Sequence, residues 1–285
     1  HMLIEQVIRA ANTEAEKSGR PIRVILPAGN DLLSEGCAKF EFGKTKEHSI
    51  DWRIQPEDQT PNFAELWSGL IKGDNPKDPA HPIALSLVPP SGPESTLKHG
   101  KDGQSNTLTL DGQPIARIYC RKHEGGAGWH RMGYILCTAP TLRDDRTIAA
   151  PSGRWRWKIK AESGEAGFAY VQSDQSLTYG SNTGLLSYFT DPAYHVYDEA
   201  GRPIDVADYG PKPTDTDNTP PMRRRGTLNA IASLAEAAVI GGYRVSDGKP
   251  AIYSSAGSND AVGDGRKAPT CLLPGEDGPA RFGLM

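Results

Sequence analysis

The chain has 285 residues, with 32 basic and 35 acidic side chains and a formal net charge of −3. That near balance supplies no field to recruit nucleic acid or an anionic membrane. Its 31 glycines and 23 prolines make up about a fifth of the residues, short of the roughly 25% at which low complexity begins. Length suggests about two domains, and the wealth of turn residues argues against a coiled coil or helical bundle and for many short strands.

In chain order, Leu3, Ile4, Val7, Ile8 and Ala11 recur at helical spacing, predicting an amphipathic helix over 3–18. Ser18-Gly19-Arg20-Pro21 ends it. His1-Met2 reads as a cloning scar, so the natural N-terminus is expected to lie elsewhere and the compartment is left unknown. No stretch approaches the ~18 apolar residues of a membrane span. Ile22-Arg23-Val24-Ile25-Leu26 reads as a buried strand of a parallel sheet.

From about residue 41 the period changes to two. Ile50/Trp52/Ile54, Ala64/Leu66 and Ile83/Leu85/Leu87 alternate with their neighbours, and further strands are predicted at 107–110, 115–121, 132–138, 154–160 and 167–172. Such a run of about eight strands predicts an antiparallel β-sandwich or jelly roll over 41–172. Trp52, Trp155 and Trp157 are expected to face its core, an exposed aromatic being the alternative as a sugar or peptide platform. Residues 173–225 read as irregular loops, with 208–221 the most linker-like. Asp215-Thr216-Asp217-Asn218 faintly suggests a calcium loop, but the glycine and final glutamate of an EF-hand are missing. Within 226–285 the α/β character returns, with a helical turn near 228–235 and strands at 237–242, 251–254 and 270–273.

No cofactor or metal is expected. The cysteines at 37, 120, 137 and 271 form no CxxC pair, and a Cys120–Cys137 bridge stays open. His123 and His130 are placed to meet across two strands, without a further ligand at metal spacing. Arg223-Arg224-Arg225 is too short for a binding patch.

The strongest chemical candidate is Asn30, which follows Pro27-Ala28-Gly29 at the carboxyl end of the 22–26 strand. That position faces the crevice where α/β sheets bind ligands, and an uncharged amide N–H there suits a developing oxyanion. Val24-Ile25-Leu26-Pro27-Ala28-Gly29-Asn30, Val239-Ile240-Gly241-Gly242, Tyr253-Ser254-Ser255-Ala256-Gly257 and Leu273-Pro274-Gly275 together resemble, in order, segments of the subtilisin-like serine proteases (subtilases). The resemblance covers about residues 3–36 and 226–285. It implies an incomplete α/β subtilisin-like parallel-sheet core, divided as 1–40 and 226–285, with the sandwich inserted at 41–172 and loops at 173–225.

It further implies that Asn30 is the oxyanion-hole donor and that Pro27, Ala28 and Gly29 line the substrate cleft. The family's Asp, His and Gly-Thr-Ser motifs are not seen here. The expected function is therefore a fragment of a serine endopeptidase that is inactive alone, acting on a protein or peptide substrate and self-associating through an open sheet edge. The alternative is a non-catalytic protein- or carbohydrate-binding β-sandwich module on a pseudo-protease base.

Overall fold

The computed structural model describes residues 2–20, 22–43, 45–73, 80–124, 128–142, 148–161, 166–173, 177–178, 181–182, 184–194, 221–233, 237–257 and 267–276. The elements begin with α1 (Met2–Lys17), β1 (Val24–Pro27), β2 (Cys37–Glu41), β3 (Glu47–Ile54), β4 (Asn62–Ser68) and β5 (Ile71–Lys72). Next come β6 (Ile83–Val88), β7 (Ser95–Leu97), β8 (Ser105–Leu110), β9 (Gln113–Glu124), β10 (Trp129–Thr138), β11 (Gly153–Ala161) and β12 (Ala166–Ser173). The last are β13 (Leu177–Thr178), β14 (Ser181–Asn182), β15 (Tyr188–Thr190), β16 (Ala237–Arg244) and β17 (Cys271–Glu276). They fall into two compact units: the described residues within 1–35 and 224–285, and those within 36–204 and 216–223.

The larger unit is antiparallel. One sheet runs β2-β12-β4-β10-β9-β8, with β5 also on β10, and the other runs β15-β3-β11-β6-β7. Alternation explains the shared core: Ala64 and Leu66 of β4, and Ile83, Leu85 and Leu87 of β6, are all fully buried, while their neighbours point away. Trp52, Trp155 and Trp157 are buried as the period predicts. Trp157 meets Trp52 edge-on at 6.0 Å and Phe189 at 5.3 Å, contacts that add about 0.5–1.5 kcal/mol each beyond area burial. On the outer face, Trp67 lies across Gly133, where an added Cβ would sit 2.5 Å from the indole ring. The glycine is there because the ring needs its space.

One buried carboxylate in this unit is met by partners on all sides. Asp58 is fully buried. Its carboxylate accepts the Thr60 N–H at 3.0 Å, the Thr60 hydroxyl at 2.9 Å, the Asn62 amide at 2.8 Å and the Leu185 N–H at 3.2 Å. Four donors are what a carboxylate needs to leave water without a large penalty. His81 stacks flat on Tyr134 with ring centroids 4.0 Å apart, and its Nδ1 accepts the Ile83 N–H at 3.1 Å.

The smaller unit is where the expected α/β subtilisin-like core must be corrected. β1 and β16 do pair in parallel, with Val24 opposite Ala237, and β17 joins β16 on its other side. Among the described residues the sheet has these three strands. Its buried cluster, among the described residues, is Ala28, Ala232 and Val239, with Leu26, Leu228 and Ala268 against it. A parallel sheet in an α/β fold is covered on both faces. Here Ile25 is 63% and Leu273 51% exposed, and Val7 of the helix is 59% exposed. Along α1 no described side chain is fully buried, the most covered being Ile8, Ala11, Asn12 and Ala15, which are half-buried. The chain is β-rich with antiparallel sheets and one α-helix among the described residues, rather than an α/β subtilase-like core.

Smaller expectations also shift. Residues 251–254 form a turn, closed by the Ser254 N–H to the Ala251 carbonyl at 3.0 Å, instead of a strand. The helical turn near 228–235 is a 3-10 segment, Ala230–Ser233. The 215–218 segment, and 208–220 with it, lies outside the described residues. No described helix is long and apolar enough to cross a membrane.

Candidate functional site

At the carboxyl end of β1 the chain leaves the sheet through Ala28, Gly29 and Asn30. Ala28 remains tied to it: its N–H donates to the Ile240 carbonyl and its carbonyl accepts the Asn229 N–H, both at 2.8 Å. Its side chain is 1% exposed and lies in the small core. Gly29 has φ +106°, a conformation open to glycine and costly for other residues. Space excludes a side chain as well, since a Cβ would sit 3.1 Å from Ser255 Oγ and 3.3 Å from Asn229 N.

The result is a tight turn that puts Asn30 outward. Asn30 is exposed, and among the described residues nothing is hydrogen-bonded to its side-chain amide. On either side of it the backbone is held by one residue. The Ser255 N–H donates to the Gly29 carbonyl at 3.0 Å, and Ser255 Oγ accepts the Asp31 N–H at 2.8 Å. Ser255 is itself fully buried. Its chain neighbours bond to the sheet strands instead: Ser254 Oγ accepts the Gly242 N–H of β16 at 3.0 Å, and the Tyr253 hydroxyl donates to the Gly275 carbonyl of β17 at 2.8 Å. Gly226 and Thr227 N–H groups both reach the Ala256 carbonyl, at 2.9 and 3.0 Å. All of these partners lie in the smaller unit.

Of the four residues singled out in sequence, Pro27 and Asn30 are exposed, Gly29 is partly covered and Ala28 faces inward. Ala28 therefore offers the outside its backbone rather than its methyl. Ser255 and Asn229 were not singled out as site residues. They lie about two hundred residues away along the chain, and no local spacing links a Ser to a turn that distant.

The remaining candidates separate. Cross-strand pairing sets Arg131 opposite His123 and His130 opposite Glu124, so the two histidines are on alternate faces: His130 is buried, while His123 lies edge-on to Trp67 at 6.2 Å. All four cysteines are free. Cys120 stands opposite Tyr134 and Cys137 opposite Arg117, which leaves no bridge between them. Among the described residues no three His, Cys, Asp or Glu side chains gather as a metal site. Burial lowers the His81 pKa to about 3 and raises the Cys37 thiol to about 12, which fits inert core groups rather than catalytic ones.

No protein-family model matches the chain, and no curated protein matches it in sequence. Among solved structures, the CspB protease of Clostridium perfringens is similar, with a TM-score of 0.52 at 12% identity over 89% of this chain and 41% of that one. The chain thus spans about two fifths of that protein's length. At this identity the likeness is one of fold. Membership of the subtilase family, expected from the four short segments, is accordingly corrected. With no matching family model and a predominantly antiparallel architecture, what stands is a weak fold-level similarity to a protease.

Proposed function

We propose that the chain contributes to a peptide-bond hydrolase, with Asn30 as a hydrogen-bond donor to the oxyanion that forms when a peptide carbonyl is attacked. The observation that carries this reading is the geometry of the 28–31 turn. An uncharged amide stands exposed and uncommitted beyond the carboxyl end of a parallel strand, on a backbone fastened on both sides. Fixed dipoles of this kind lower the barrier because they need not reorganise as charge develops. Fold-level similarity to a protease supports the same class of chemistry. Pro27 and Gly29, with the backbone of Ala28, would flank the bound carbonyl.

Asn30 donates and does not attack. The buried Ser255 hydroxyl beside it is engaged by the Asp31 N–H, and no described histidine belongs to this unit. The proposed role is thus transition-state stabilisation within a site whose nucleophile and base lie outside the described residues. The 285-residue chain is then expected to cleave no peptide by itself, and cleavage abolished by a serine-directed inhibitor would overturn that. In the full-length protein, Asn30→Ala should lower kcat about 10²–10³-fold with KM nearly unchanged. Equal kcat in variant and wild type would remove Asn30 from the chemistry.

A further inference from the structure

We infer that Ser255 is a positioning residue that fixes Asn30 in place, an inference that rests on the oxyanion reading above. The argument starts from where its two polar groups go. Its N–H donates to the carbonyl of Gly29, the residue before Asn30, at 3.0 Å. Its Oγ accepts the N–H of Asp31, the residue after, at 2.8 Å. One side chain and its own backbone thereby close a ring around a single exposed residue. Ser255 is fully buried, so water cannot substitute for it without entering the floor of the turn.

The turn is also shaped to meet it. Gly29 brings its Cα side against Ser255 Oγ, with 3.1 Å available to any added Cβ. Below, the Asn229 N–H holds the Ala28 carbonyl at 2.8 Å. Ala28 and Gly29 are thus held by backbone donors that no side-chain substitution removes. The Asp31 N–H depends on the Ser255 hydroxyl. Losing it frees the chain just after Asn30, and with it the direction of the amide. Errors of about 1 Å in a positioning group can cost on the order of 10²-fold in rate.

Ser254 supplies a matched control. It is the adjacent residue, is also buried, and its Oγ likewise accepts one backbone N–H, that of Gly242 at 3.0 Å. Gly242 belongs to β16, and its bond to Ser254 touches none of residues 29–31. Ser254→Ala and Ser255→Ala therefore remove the same kind of bond from two different places. A purely structural role would make the two variants alike.

The experiment has two readouts. In the 285-residue chain, amide NMR relaxation should show Asn30 and Asp31 losing order in Ser255→Ala and keeping it in Ser254→Ala, while Val239 and Ile240 stay unchanged in both. In the full-length protein, Ser255→Ala should lower kcat about 10- to 100-fold with KM within about twofold, and Ser254→Ala should leave kcat near wild type. Unchanged order at Asn30 in Ser255→Ala overturns the inference. So does wild-type kcat in Ser255→Ala when Asn30→Ala is slow, and this outcome leaves the oxyanion reading standing. Wild-type kcat in Asn30→Ala overturns the reading and the inference together. Comparable loss of kcat in both serine variants reduces Ser255 to a packing residue and also overturns the inference.

Discussion

In the antiparallel unit β6 buries every second side chain completely, whereas β1 of the parallel unit buries none of its four residues. The contrast lies in how each sheet finds cover. Two antiparallel sheets supply each other's inner faces, so alternation along each strand is enough to make a core. A three-stranded parallel sheet has two apolar faces and needs a separate element on each. Among the described residues, one of its faces has the small cluster of Ala28, Ala232 and Val239. The other leaves Ile25 and Leu273 exposed. The larger unit thus holds most of the folding free energy, and the smaller one carries the candidate chemistry on a frame of backbone hydrogen bonds.

All five tryptophans of the chain, at 52, 67, 129, 155 and 157, lie in the larger unit, so indole fluorescence reports that unit alone. Trp157→Ala removes the ring that bridges Trp52 and Phe189 and should cost about 3–5 kcal/mol. In guanidinium the fluorescence midpoint should fall accordingly. Hydrogen-exchange protection of the Val239 amide, which bonds Thr270 Oγ1 at 3.1 Å, should not change. Parallel loss of protection at Val239 would show the two units unfolding as one, and the contrast would fail.

Acid should separate the units next. Burial lowers the folded-state pKa of His81 to about 3, from an ordinary 6.5. The neutral ring is therefore favoured by folding, and the unfolded chain binds the proton first as pH drops. His81's contribution is present above pH 6.5 and is lost as pH falls towards 3, at a slope of about 1.4 kcal/mol per pH unit. At pH 4 the larger unit should have lost on the order of 3 kcal/mol through this ring. In His81→Phe the extra slope between pH 6 and 4 should disappear. An unchanged slope would show that His81 is not the titrating group, and that the polar contacts around Tyr134 open earlier than the burial implies.

What could be read in the sequence follows the same division. Ile83/Leu85/Leu87 and Trp155/Trp157 announced their strands and their buried face, because period two survives wherever a sheet has one dry side. Ile22–Leu26 announced a parallel strand and its partner at 237–242, and that pairing exists. The inference to a covered α/β core went too far. An apolar run records that a strand tolerates burial, and whether anything covers it is decided by other segments. Very short strands such as β5 and β7 carry too few residues to show a period. Asn30 was found from its place after an apolar strand. Ser255 was hidden, since a hydrogen bond between residues 224 positions apart leaves no mark on either one's neighbours.

The smallest expected effect tests the uncovered face directly. Val7 lies on the apolar stripe of α1 and is 59% exposed, and in β1 Ile25 is 63% exposed. If the helix is unpartnered, Val7→Asp loses no packing, and the stability of the smaller unit should change by no more than about 0.5 kcal/mol. Helicity should fall only slightly, because one substitution in an exposed helix costs a fraction of a kcal/mol. A helix seated on an apolar face would behave otherwise. Burying a charge there without a partner costs well above 1 kcal/mol, and Val239 exchange would speed up with it. The same variant also discriminates by concentration. A loss of stability that appears only in concentrated samples would mean that the stripe is covered by a second copy, and that the smaller unit completes its core by association.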